Sequence, residues 1–298
     1  MIMMTYSRRI IFTMLTVGLF LSLTACTAPK KKEESNTIRM TYANWSEGVA
    51  MTYLAEVALE EHLGYDVVTQ MTDVETVFQQ LESGEYDVFI DAWLPETHGM
   101  YMEKYGSGLQ DLGVNFEDAK TGLLVPEYSN LNKISDLKSS DLAIIIGIGE
   151  GAGIMAAADN AISTYNLPQK LQYSSENVMT EAFGDAFKRR ENIVITGWVP
   201  HWVFDEYDVK FLEDPEMSFG STEKLHTLAR SGFTNEHPRA SLFFERFQLS
   251  EKHLADLMNE VLDNPGNERD AAFGWMKTNP QVVNEWVRGL RPERNKTM

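Results

Sequence analysis

Cysteine is almost absent from this chain of 298 residues, and its one occurrence, Cys26, excludes any intramolecular disulfide. The chain has no Gly-x-Ser-x-Gly elbow, no His-Glu-x-x-His pair and no Walker A loop, which argues against an α/β-hydrolase, a zinc protease and a P-loop nucleotidase. The six histidines are scattered, with no spacing that gathers metal ligands. Ser135-Asp136-Leu137-Lys138 fits a Ser-x-x-Lys pattern but lacks the companion motifs, and reads as a helix start with Ser135 as its cap. Basic residues are few, 26 Lys and Arg against 44 Asp and Glu, for a formal charge of -18. Such an acidic surface repels nucleic acid and anionic headgroups alike. No enzyme, cofactor or metal is expected.

What is present begins with a targeting signal. Arg8 and Arg9 precede an apolar run from Ile10 to Leu23, followed by Leu23-Thr24-Ala25-Cys26. The run is shorter than the roughly 20 apolar residues of a membrane span, and its charged start and small-residue end are those of a cleaved leader. Cys26, directly after Leu-Thr-Ala, is the expected point of lipid attachment. Removal of residues 1–25 takes the formal charge to -20, and Cys26 to Asn36 reads as a polar tether to the membrane.

The remaining stretch of roughly 260 residues is long for one small domain and suits two lobes. Thr37–Tyr42, Tyr65–Gln70 and Tyr86–Asp91 read as strands, separated by helices over Ser46–His62 and Val74–Glu82. The order repeats with strands at Leu142–Ile148, Leu171–Tyr173 and Ile193–Thr196 and helices at Gly153–Tyr165 and Val178–Arg189. A βαβαβ order demands parallel strands with covering helices, so each lobe is expected to be a mainly parallel α/β sheet. Gly122–Pro126 reads as a connecting strand near a first crossing at Thr121–Tyr128, with a return near Leu225–Phe233. The expected division is lobe I at 37–122, lobe II at 123–231, and a helical tail at 232–298 packing back on lobe I. Two crossings make a hinge.

Three of the six tryptophans stand at strand ends: Trp45, Trp93 in Ala92-Trp93-Leu94-Pro95, and Trp198 in Gly197-Trp198-Val199-Pro200. Loops at the carboxyl edge of parallel strands are where α/β folds bind ligands, so facing lobes would gather these indoles in one cleft. Trp202, Trp275 and Trp286 read as packing. Clustered aromatic faces attract cations, and quaternary ammonium groups above all. Glu150-Gly151-Ala152-Gly153-Ile154 leads from a strand into a helix whose free N–H groups favour a small carboxylate, and His98, five residues after Trp93, offers a further donor.

The lipobox ending at Cys26, Trp93-Leu94-Pro95-Glu96-Thr97-His98, Gly-Ala-Gly-Ile-Met at 151–155 and Gly-Trp-Val-Pro-His-Trp at 197–202 together make the chain resemble the glycine betaine-binding lipoproteins of osmoprotectant ABC importers. The similarity extends through Lys210-Phe211-Leu212-Glu213-Asp214-Pro215 and His226-Thr227. The resemblance implies a two-lobed, type II periplasmic-binding-protein-like fold with its ligand in the interlobe cleft. It also implies a box of Trp45, Trp93 and Trp198 around a trimethylammonium group, with the carboxylate held by Gly153 N–H, Ile154 N–H and His98. Glycine betaine is the expected ligand, with carnitine, proline betaine and choline as alternatives. An ABC permease with its ATPase is the expected partner, and a membrane-anchored monomer outside the cytoplasm the expected state.

Overall fold

The structure, a computed structural model, describes residues 36–291. The expected leader and Cys26 lie outside the described residues. Strands β1 (Thr37–Tyr42), β2 (Asp66–Met71) and β3 (Val88–Leu94) alternate with helices α1 (Ser46–Ala58, continued by a single π turn at Leu59–Leu63) and α2 (Val74–Ser83). A short helix α3 (Gly99–Tyr105) leads into the 17-residue strand β4 (Gln110–Pro126). The βαβαβ order then recurs as β5 (Ile144–Ile146), α4 (Gly153–Thr164), β6 (Lys170–Gln172), α5 (Glu176–Arg189) and β7 (Ile195–Val199). After helix α6 (Val203–Glu206) come β8 (Val209–Phe211), β9 (Glu223–Ala229) and five helices: α7 (Phe233–Glu236), α8 (Pro238–Phe244), α9 (Glu251–Leu262), α10 (Glu268–Thr278) and α11 (Pro280–Val287).

The strands run β2-β1-β3-β9-β4-β7-β5-β6, with β8 on β4. β1 is parallel to β2 and β3, and β5 is parallel to β6 and β7, as the crossover helices require. The later strands turn each half into a mixed sheet, because β9 and β4 enter antiparallel in one half and β4 and β8 in the other. β4 is the shared element: Ala119 pairs with Glu223 of β9, and the next residue, Lys120, pairs with Val199 of β7. One strand therefore passes from one lobe to the other without a loop. Its first part slips register at three places, with Gly113 at φ 118° and Asp118 at φ 58°. Bulges of this kind break the period of two and bend a strand.

Local chemistry sets the helix ends. Asp73 caps α2 by accepting Thr76 N–H at 3.0 Å, and Ser175 and Ser250 cap α5 and α9 in the same way. Asp136 rather than Ser135 organises the 3₁₀ turn at Ile134–Ser139, accepting N–H bonds from Asn132 and Lys133; Ser135 sits two residues inside the N-cap, Lys133, and does not cap it. Helix α1 is packed by α9 and α10, so both ends of the chain build one lobe. The Arg269 guanidinium crosses that seam to Glu56 and Glu60. Asp87, 1 % exposed, binds Arg39 and Arg230 and joins the starts of β1, β3 and the segment after β9. Burial alone would raise its carboxyl, but the two guanidinium groups outweigh that and hold it below the usual range. Trp275 and Trp286 lie in the apolar core, whereas Trp202 is half-buried and stacks on His201 at 5.4 Å.

Candidate ligand cavity between the lobes

Trp93 is the penultimate residue of β3 and Trp198 that of β7, and each is 3 % exposed. Trp45 precedes α1 in the N-cap position and stacks on the His98 ring, with centroids 5.6 Å apart and planes 22° apart. These three indoles, with His98, Gly153 and Ile154, line a single cavity. The six residues read from the sequence are thus brought together. Glu47, Thr97, Thr121, Ile148 and Ala152 complete the wall. A wider concavity, lined by Asp118, Arg246, Glu251 and His253 among others, holds none of the strand-end indoles. The smaller one gathers all six residues read from the sequence.

The indoles are fixed from behind. Trp93 Nε1 donates to Asp91 Oδ1 and Trp198 Nε1 to Glu47 Oε2, each at 3.0 Å. Asp91 and Trp93 are two apart on a strand and so share a face, which makes the first bond local. The second spans the lobes. A further carboxylate, Glu176 of α5, accepts Ser46 N–H at 3.1 Å across the cleft and stands 3.2 Å from His201 Nε2. Helix α1 has no side-chain cap of its own, so this anion from the other lobe occupies its positive end. Burial, with Asp91 and Glu176 close by, pushes the Glu47 carboxyl well above the ordinary range, and burial does the same to Asp91. Sequence reasoning missed all three acids, since a carboxylate usually reads as solvated surface. The spacing Asp91-x-Trp93 was the available signal.

His98 is fully buried among Phe78, Phe89, Tyr101 and Trp45. Its Nδ1 accepts Trp93 N–H at 3.0 Å, which leaves the hydrogen on Nε2, and that atom has no partner in the protein. Burial pushes its pKa down to about 3, so the ring is a neutral donor at physiological pH. The first-turn N–H groups of Gly153 and Ile154 open α4, whose N-cap residue, Ala152, supplies no side-chain oxygen. Gly151, at φ 90°, makes the turn into this helix and receives the Tyr101 hydroxyl on its carbonyl at 2.7 Å. Gly153 is required by proximity: a Cβ there would lie 2.7 Å from the Thr97 carbonyl carbon, and closer still to its oxygen.

The loop 95–98 is itself anchored. Glu223, at the start of β9, accepts Glu96 N–H at 2.8 Å and Thr97 N–H at 2.9 Å, and also the Thr97 hydroxyl. A buried hinge carboxylate thus holds the turn that presents His98. Among the described residues there is no cluster of three or more metal-ligating side chains, and no helix is long and apolar enough to cross a membrane.

Two lobes joined by a shared strand, closed over an aromatic cavity that also presents the unpartnered His98 Nε2, define a solute-binding protein of the type II periplasmic class. Residues 36–278 match the model of the OpuAC family, the substrate-binding domain of ABC-type glycine betaine transport systems, and the chain belongs to that family. It is 36% identical to lactococcal OpuAC in its closed-liganded conformation complexed with glycine betaine, over 85% of this chain and 99% of that one, with a TM-score of 0.81. It is 33% identical to the glycine/betaine/L-proline-binding protein ProX of Borrelia burgdorferi, over 86% of this chain and 97% of that one, also with a TM-score of 0.81. The glycine betaine/carnitine transport binding protein GbuC of Listeria monocytogenes is 40% identical over 149 residues, 49% of each chain; the match spans about half the length of that curated relative.

Proposed function

We propose that this protein captures glycine betaine outside the cytoplasm and delivers it to an ABC permease driven by its ATPase. The observation that carries this reading is the pairing of two unlike ends in one cavity. Trp45, Trp93 and Trp198 supply aromatic faces, and the unpartnered His98 Nε2–H lines the same cavity as Gly153 and Ile154, whose N–H groups open α4 from the facing lobe. A trimethylammonium group cannot donate a hydrogen bond and suits the indoles; a carboxylate suits the three donors. The name of the Listeria relative supports carnitine as a second ligand of the same kind. Proline betaine shares both groups. Choline shares only the cationic end.

The magnitudes suit a transport receptor. Three desolvated cation–π contacts of about 2 kcal/mol each and two or three charge-assisted hydrogen bonds of about 1.5–3 kcal/mol each give roughly 9–15 kcal/mol gross. Micromolar affinity needs about 8.2 kcal/mol net of ordering and closure. Lipidation of Cys26 would hold the receptor at the membrane surface as a monomer, with 27–36 as its tether.

Calorimetric titration of the protein in detergent with glycine betaine, carnitine and choline tests the reading. Saturable betaine binding with little heat from choline supports a cation box joined to a carboxylate clamp. No binding to any of the three refutes it.

A further inference from the structure

We propose that capture of the quaternary ammonium group expels a proton from the buried Glu47 and Asp91 carboxyls that hold the tryptophan walls, so that ligand affinity is linked to pH. The inference rests on the reading of this cavity as a cage for a methylated ammonium group.

The acids come from separate elements and converge on one dry region. Glu47 is contributed by α1, Asp91 by β3 and Glu176 by α5, and they are 1 %, 0 % and 7 % exposed. Glu47 receives the Trp198 indole N–H, and Asp91 receives that of Trp93 on one oxygen only. Its other oxygen, Oδ2, is buried with no partner and lies where a Cβ on Gly48 would stand 2.6 Å away. Among the described residues no lysine or arginine lies within ion-pair distance of any of the three. The nearby bases are His201, 3.2 Å from Glu176 after β7, and His98 on the 95–98 loop, a neutral donor.

Isolated like charges at such a site cannot all ionise, and the group that escapes does so by keeping its proton. Burial raises both carboxyls, with Asp91 and Glu176 repelling Glu47 and Glu176 repelling Asp91, so a proton kept at this site sits on Glu47 or Asp91. A permanent cation in the cage reverses the balance. It sits over the indole rings whose N–H groups point at these same carboxylates. The carboxyl O–H bond breaks, the proton passes to solvent, and the carboxylate charge that remains faces the ammonium group through the ring. A carboxylate accepting the indole N–H also enriches the π face that the cation touches, so the two effects reinforce each other.

The sign follows from linkage. Binding that releases a proton is favoured as pH rises, by up to about tenfold in affinity per unit for one proton, and levels off above the pKa of the unliganded pair. Uptake by His98 would give the opposite slope.

Glycine betaine is titrated into the detergent-solubilised protein at one pH in phosphate and in Tris, whose ionisation enthalpies differ. The expected result is a buffer-dependent heat of the sign for proton release, up to one proton per ligand, lost in Asp91→Asn or Glu47→Gln. Saturable binding with buffer-independent heat, or with proton uptake, overturns the linkage while leaving the cage intact. Release that persists in both variants overturns it as well. Failure of the wild-type protein to bind betaine, carnitine or choline overturns the cage reading and the linkage with it.

Discussion

The tightest steric constraint at the cavity falls on Gly153, and Gly153→Ala is the most exacting test of closure. Carbon atoms pack best at about 3.5–4.0 Å, whereas the new methyl carbon would start 2.7 Å from the Thr97 carbonyl carbon. Thr97 belongs to one lobe and α4 to the other, and Glu223 pins the loop from behind. Relief must therefore come from parting the lobes by about 1 Å, which takes ordinary hydrogen bonds past their useful range. His98 on one side and the Gly153 and Ile154 amides on the other could then no longer share a carboxylate. Losing two charge-assisted bonds of about 1.5–3 kcal/mol each predicts at least a hundredfold weaker betaine binding. The lobe carrying α4 would not suffer, since alanine is preferred to glycine in a helix by roughly 0.5–1 kcal/mol. Calorimetry for affinity and thermal unfolding for the fold separate the two effects. Affinity within threefold of wild type, with the melting temperature unchanged, would refute the closure argument.

Trp93→Ala removes one wall of the cage and is expected to weaken betaine at least about tenfold, the value of a cation–π contact, with binding measured by titration. His98→Ala should weaken betaine several-fold or more while leaving choline nearly unchanged, so the ratio of the two affinities reports the carboxylate donor; an equal loss for both ligands would count against it. Asp87→Asn strands two guanidinium groups away from the cavity. Because Arg39 is partly solvated, the cost should fall near or below about 3 kcal/mol of stability, read from chemical denaturation, with betaine affinity retained.

The parts of this molecule that could be read from sequence are those in which chemistry repeats locally. Two βαβαβ runs, with an amphipathic α2 and punctuating glycines, gave strands and helices close to those observed. The first half of β4 was invisible because its bulges at Gly113 and Asp118 destroy alternation, so only Gly122–Pro126 looked like strand. Likewise β3 and β7 each run three residues further than expected, so Trp93 and Trp198 are the penultimate residues of their strands rather than following them. At the cavity, aromatic and glycine positions were legible because few other roles explain them at strand ends. Glu47, Asp91 and Glu176 were not: Glu47 and Glu176 find partners in the opposite lobe, Asp91 packs against Gly48 of a distant element, and Glu223 is separated from the loop it holds by more than a hundred residues.

Helix α1 borrows its N-terminal cap from the opposite lobe through Glu176, and Trp45 stands immediately before the capped residue. Parting of the lobes therefore uncaps this helix at the same moment that it opens the cleft, and the first turn must exchange a carboxylate for water. The residue carried on that loosened end is a wall of the cage. Lobe opening would thus bring local fraying as well as rigid hinge motion, and the amide of Ser46 is expected to serve as a hydrogen-exchange clock for it.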